Sequence, residues 1–248
     1  MINYIIIGAV LGSVLGLSGS GGAIIGIPLI MWMLHVDLKA ASALVLPIVG
    51  IAAAMQWLPQ RRLTQWPIVF SVILPLIISS AMSGFLRTLM PDLAIKALLG
   101  LFVVWGLWST WFSKKTVIEV KQTVFLLKST ALGLLGGVVT TLTGLGGGLL
   151  LVPLLKQGFG LKIDKAVSTS LMMIILTCGV AMMSLYYHDQ LITFSAAQLG
   201  SIIVGSFGVS LVIKWILQQG DKAKVQIIQK WIYTFVLTGS ILGIVFLR

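Results

Sequence analysis

Long apolar blocks separated by short polar breaks run the length of the chain. Ten can be read: Tyr4 to Leu17, Ala23 to Leu34, Ala40 to Leu58, Trp66 to Leu86, Ala97 to Phe112, Val124 to Leu142, Gly148 to Leu155, Ala166 to Tyr187, Ile192 to Ile213 and Trp231 to Leu247. They are apolar on every side rather than alternating, which predicts helices and not the strands of a lipid-facing barrel. A helix needs about 20 such residues to cross roughly 30 Å of hydrocarbon. The second and seventh blocks are too short, since a twelve-residue helix rises only about 18 Å. They are predicted to be half-helices that enter a membrane and stop inside it.

Composition makes lipid the solvent. With 58% hydrophobic and 9% charged residues and a mean hydropathy of +1.09, the chain cannot cover a water-facing surface of its own size. The start, Met1-Ile2-Asn3-Tyr4, lacks the basic stretch of a signal peptide and is read as mature protein. The net charge of +11 comes from 17 basic against 6 acidic residues scattered through short loops, so a nucleic-acid partner is not expected. The single cysteine, Cys178, permits no intrachain disulfide and offers no metal-site spacing. No metal or cofactor is expected.

A basic stretch from Lys114 to Lys121 divides two copies of one pattern. Leu17-Ser18-Gly19-Ser20-Gly21-Gly22-Ala23, on to Pro28-Leu29, aligns without gaps with Leu142-Thr143-Gly144-Leu145-Gly146-Gly147-Gly148, on to Pro153-Leu154. One inserted residue later, Lys39-Ala40-Ala41-Ser42-Ala43 matches Lys165-Ala166-Val167-Ser168-Thr169. The predicted fold class is therefore all-α, a polytopic integral membrane protein of two five-segment repeats: residues 1–112, a cytoplasmic linker at 113–123, and residues 124–248. An odd number of segments per copy inverts the second copy relative to the first. An external N-terminus puts Arg61, Arg62, the central basic stretch, Lys156 to Lys165 and Lys214 to Lys230 inside, and leaves only Lys39, Arg87, Lys96 and Arg248 outside. That is the bias of the positive-inside rule, and both termini come out external.

Inverted repeats with a Gly-broken segment at the same place in each copy point to a transport site between them. Backbone N–H groups of Gly21, Gly22 and Ala23, and of Gly146, Gly147 and Gly148, would open the half-helices with unpaired donors and a positive dipole end, which suits an anion. Ser18, Ser20 and Thr143 add hydroxyls nearby. The plainer reading is close helix packing, which is the better account of Gly8, Gly12 and Gly16. Ser42, Ser168, Thr169 and Ser170 open the helix after each half-helix, either as ligand contacts or, above all for Ser42 and Ser168, as helix caps. Gln56 is either solvated or pore-lining, Cys178 is a small apolar residue, and His35 and His188 are expected to be solvated.

Asp37, Asp92, Glu119, Asp164, Asp189 and Asp221 are all expected in loops, which argues against a buried carboxylate and against cation transport. Arg61, Arg62 and Arg87 sit at segment ends, where snorkelling explains them better than a role in drawing anions in. Pro47 and Pro75 allow kinks within full-length segments. No paired carboxylates, His/Cys cluster, Ser/His/Asp set or Walker-type motif suggests an enzyme.

The motifs from Leu17 to Pro28 and from Leu142 to Pro153, with the Val167-Ser168-Thr169-Ser170-Leu171 run, resemble the TauE/SafE sulfite exporter family, also called the toluene sulfonate uptake permease group, over essentially the whole chain. The resemblance implies a secondary transporter, an exporter of sulfite, organosulfonates or similar small anions, in the cytoplasmic (inner) membrane of a prokaryote. It makes Gly19, Gly21, Gly22, Gly144, Gly146, Gly147 and Gly148 the expected site lining. The first copy departs from the pattern at Ser20, Ala23 and Ala43-Leu44, which predicts a lopsided site. Expected partners are a small oxyanion and membrane lipid, with protons a candidate coupling ion. Substrate, direction of transport and oligomeric state stay open, and the rival readings are an anion channel and a non-transporting accessory subunit.

Overall fold

The structure, a computed structural model, describes residues 5–10, 22–112, 122–144, 148–188, 195, 200–201 and 204–205. Among these residues there are helices and turns and no strand. Residues 5–10 form α1. There follow α2 (Gly22–Leu34), α3 (Leu38–Trp57), a 3-10 turn (Leu58–Leu63), α4 (Trp66–Leu89), α5 (Asp92–Phe112), α6 (Gln122–Thr143), α7 (Gly148–Phe159) and α8 (Ile163–Tyr187). Residues 200–201 and 204–205 are helical too. The central linker at 113–121 and almost all of the last two apolar blocks lie outside the described residues.

Local chemistry explains the boundaries. Proline at the first turn starts both the 3-10 turn and α4, where a missing N–H is harmless. The residue after α2, His35, and the residue after α7, Gly160, both take a left-handed conformation, with φ of 54° and 64°, and so end their helices. The helices outrun the apolar blocks. Thus α5 begins at Asp92 and α8 at Ile163, so Asp92 and Asp164 stand in exposed first turns rather than in loops. A carboxylate is favourable there because it meets the positive end of the helix dipole.

Among the described residues, three stretches are long and apolar enough to cross a membrane: Leu38–Leu63, Trp66–Leu89 and Ile163–Tyr187. Helices α2 and α7 are shorter, at 13 and 12 residues.

Contacts along these helices fix their directions. Gly133 of α6 lies against Val72 and Leu76 of α4, and Gly137 against Leu76, Ser79 and Ser80, so α4 and α6 run side by side in the same direction. Neither glycine has room for a side chain, which is what lets the two backbones approach. Helix α8 runs the same way: Ser168 meets Thr64, and Ser184 Oγ donates to the carbonyl of Ala81. Helix α3 runs opposite to all three, with Gly50 against Cys178 and Ser42 beside Arg87. Cys178 is thus a small buried packing residue.

Among the described residues, one end of the bundle therefore gathers Arg61, Arg62, Lys128, Lys156, Lys162 and Lys165 with one acid, Asp164; Lys128 Nζ donates to the Gly158 carbonyl at 2.9 Å. The other end holds Lys39, Arg87 and Lys96 with Asp37 and Asp92. Leucine, isoleucine and phenylalanine side chains of α4 such as Phe70, Leu74, Ile78 and Phe85 face outward, as lipid contact requires.

Candidate functional site

The second Gly-rich break is the better described of the two. Helix α6 ends with Thr143, whose hydroxyl donates to the Val139 carbonyl, and the Gly144 N–H still reaches the Thr140 carbonyl at 2.8 Å. Gly144 then turns away with φ of 73°. A Cβ there would sit 2.7 Å from both Cβ and the carbonyl oxygen of Ser42, so backbone rests directly on backbone. Both the turn and the contact demand glycine. Residues 145–147, which include Gly146 and Gly147, lie outside the described residues, and α7 opens at Gly148.

Ser42 is four residues into α3, about 6 Å along its axis from Leu38. Its Oγ donates to the Lys39 carbonyl at 2.9 Å and accepts from Nη2 of Arg87. The same Nη2 donates to the Lys39 carbonyl, and Nη1 lies 3.5 Å from the Thr141 carbonyl on α6. Arg87 is only 1% exposed, and its Nε N–H is buried with no hydrogen-bond partner among the described residues. Snorkelling to water, expected for an arginine near a segment end, is thus corrected. The guanidinium turns inward and joins the start of α3 to the end of α6. The reason is the extra turn of α4, which runs to Leu89 and leaves Arg87 on the inward stripe of Ser79 and Ser83, at four-residue spacing, while Leu86 and Leu89 face out.

Among the described residues no carboxylate lies within ion-pair distance of Arg87. Asp92 is engaged elsewhere, 3.4 Å from Lys39 Nζ, which also donates to the Met90 carbonyl. Burying a cation is costly, and the hydrogen bonds of this one go to neutral acceptors.

Ser168, Thr169 and Ser170 stand elsewhere. All three are buried. Ser168 Oγ lies 2.9 Å from Thr64 Oγ1 and donates to the Gln60 carbonyl; Thr169 Oγ1 donates to the Lys165 carbonyl and accepts from the Gln65 N–H; Ser170 Oγ donates to the Val167 carbonyl. Thr64 also accepts from Trp57 Nε1. Neither Ser42 nor Ser168 caps its helix, because the N-cap positions fall earlier, at Asp37 and Lys162. The two clusters lie at opposite ends of α4, and the rise from Trp66 to Arg87 alone is about 32 Å. Gly144 and its neighbour Thr143 therefore group with Ser42 and Arg87, and Ser168 and Thr169 with Thr64 and Gln65, while Gly148 opens α7. Ser18, Gly19, Ser20 and Gly21 lie outside the described residues, and Gly22 opens α2. Gln56 is half-buried, with its carbonyl taken by Gln60 Nε2; His35 is exposed and His188 half-buried beside Phe85.

Among the described residues, three span-length helices, two short apolar ones and a helix that ends at Gly144 define a polytopic helical membrane protein. Its family can be stated as well. Residues 4–246 match the family described as Sulfite exporter TauE/SafE, and the chain belongs to that family. Membership makes it a membrane transport protein of the sulfite-exporter kind. No curated protein and no solved structure matches the chain at a significant level.

Proposed function

We propose that the chain is a secondary transporter that exports small oxyanions, such as sulfite or an organosulfonate, across the cytoplasmic membrane by alternating access. The observation that carries this reading is the break at Gly144. There α6 stops, turns with positive φ against Ser42, and is followed by α7, whose 12 residues cover only about 18 Å. The N-terminus of α7, at Gly148, thus opens inside the membrane with unpaired N–H groups and a positive dipole end.

Two inverted repeats, residues 1–112 and 124–248 joined by a cytoplasmic linker at 113–123, are part of the proposal. Corresponding features of the two copies support it. His35 and Gly160 occupy equivalent places and end equivalent half-helices in the same left-handed way. Equivalent helices α3 and α8 pack antiparallel, as an inverted pair must. The contact of α4 with Gly133 and Gly137 has a counterpart where a Cβ on Gly205 would meet Ile5, Gly8 and Ala9 of α1. The end rich in Arg61, Arg62, Lys128 and Lys156 to Lys165 is taken as cytoplasmic, which makes both termini external. The Gly-rich breaks and the hydroxyls beside them then alternate as inner and outer contacts for the anion.

Replacing Gly147 with leucine is the test. The account expects saturable sulfite uptake into proteoliposomes to be lost while the protein stays monodisperse in detergent; wild-type uptake in Gly147→Leu would remove the break from the site. An anion channel, the second reading, predicts flux that does not saturate.

A further inference from the structure

Where the 3-10 turn meets the start of α8, the fold collects cations that it does not pair. Ser168 Oγ donates to the Gln60 carbonyl at 2.8 Å and lies 2.9 Å from Thr64 Oγ1, and the Gln65 N–H reaches Thr169 Oγ1 at 3.0 Å. Arg61 and Arg62 follow Gln60 directly, and Lys162 and Lys165 lie within two helical turns of Ser168. All four are exposed, and none has a carboxylate partner among the described residues. Asp164, the acid beside them in sequence, is exposed as well. Helices α4 and α8 both begin here, so the positive ends of two helix dipoles add to the same field. The junction attracts anions.

An exposed apolar track starts at the same place. Trp66, Phe70, Leu74, Ile78 and Met82 stand at four-residue spacing on α4, from 40% exposed at Trp66 to 70% at Met82. The rise from first to last is about 24 Å, room for an acyl chain from one leaflet of a bilayer whose hydrocarbon is about 30 Å thick. Trp66 stacks on Phe70 at 5.8 Å and meets Trp57 edge-on at 6.3 Å. Indole rings favour the boundary between headgroup and hydrocarbon, because one part of the ring is apolar and its N–H is polar.

We propose that this junction binds an anionic phospholipid, with its phosphate among Arg61, Arg62, Lys162 and Lys165 and an acyl chain along Trp66, Phe70 and Leu74. The chemistry favours a lipid over a free anion. The hydroxyls of Thr64, Ser168 and Thr169 and the Gln65 N–H are all bonded within the protein, so they do not enclose an ion. The donors that remain are long exposed side chains, which reach a headgroup at the membrane surface. Membrane topology requires positive charge here but no preference among lipids. The proposal does not depend on the substrate or the mechanism of transport.

The experiment titrates the purified, delipidated full chain in detergent with phosphatidylglycerol and, separately, with phosphatidylcholine of the same acyl chains, and counts bound lipid by native mass spectrometry. Wild type is expected to bind the anionic lipid at least tenfold more tightly. Arg61→Gln/Arg62→Gln is expected to weaken that binding roughly thirtyfold, the worth of two basic side chains at an anionic surface, and to leave phosphatidylcholine unchanged. Lys96→Gln, at the other end of the bundle, should leave both affinities unchanged. Equal affinity for the two lipids, unchanged affinity in the double variant, or an equal loss in Lys96→Gln would overturn the proposal. Glycerol phosphate, a headgroup without chains, should not displace the lipid at equal concentration; displacement would make the junction a free-anion site and overturn it too. If the arginine variant does not fold, Lys162→Gln/Lys165→Gln decides by the same readout.

Discussion

Gly144→Ala is the perturbation whose cost follows most directly from geometry. An alanine there must hold φ near 73°, a left-handed conformation that costs a non-glycine residue about 1–2 kcal/mol. Its methyl would also meet Ser42 at 2.7 Å from Cβ and from the carbonyl oxygen and at 2.9 Å from Cα. Two of those atoms are backbone in the second turn of α3, so no rotamer change relieves the clash, and α3 and α6 must separate locally. Overpacking of this kind costs about 1–3 kcal/mol. Together the loss is about 2–5 kcal/mol, which for a chain of this size lowers Tm by roughly 5–15 °C. The assay is tryptophan-fluorescence melting in detergent, with Gly100→Ala as control. Gly100 lies within α5 with nothing within 4 Å of an added Cβ, and alanine there should leave Tm unchanged or slightly raised. Equal melting temperatures for Gly144→Ala, Gly100→Ala and wild type would refute the break geometry.

Further expectations concern the α4 and α6 contact. Gly137→Ala places a methyl 2.6 Å from the Leu76 carbonyl and closer still to Ser79 Oγ, so it should destabilise the chain; adding Ser79→Ala should restore part of the loss but not all, and full or absent rescue in the melting assay would contradict the packing. Ser80 and Thr141 join their hydroxyls between the same helices, and a double-mutant cycle to alanine should return a coupling of about 0.6 kcal/mol, the usual size for such a bond in a membrane protein. A coupling of zero would mean the two side chains do not meet.

Much of the fold was legible because lipid imposes one rule on every segment: apolar on all sides, long enough or visibly too short. The short helices at Gly22–Leu34 and Gly148–Phe159 followed from the length of their apolar blocks, and the close approach read for Gly8 recurs at Gly133 and Gly137. What could not be read from apolar blocks was where helices begin and end. Polar residues are tolerated in exposed first turns, so Asp92 and Asp164 entered helices, and Ser42 and Ser168, one turn further in, lost the capping role. Arg87 was misjudged for the same reason. Counted from the end of an apolar run it is a snorkelling residue, whereas counted along the stripe Ser79, Ser83, Arg87 it is an inward one. That stripe was in the sequence, and hydroxyls at four-residue spacing leading to an arginine are the signal to look for. The separation of Ser168 and Thr169 from Thr143 and Gly144 depends on helix direction, which only the tertiary contacts provide.

The central claim, carriage of a small oxyanion by alternating access, is tested most directly by counterflow. Proteoliposomes holding the purified chain are loaded with unlabelled sulfite, methanesulfonate or sulfate and diluted into radiolabelled sulfite. The account predicts transient accumulation of label above equilibrium when an accepted anion is inside, because a carrier that returns loaded returns faster. Label that enters only to equilibrium, at a rate indifferent to the internal anion, would contradict it.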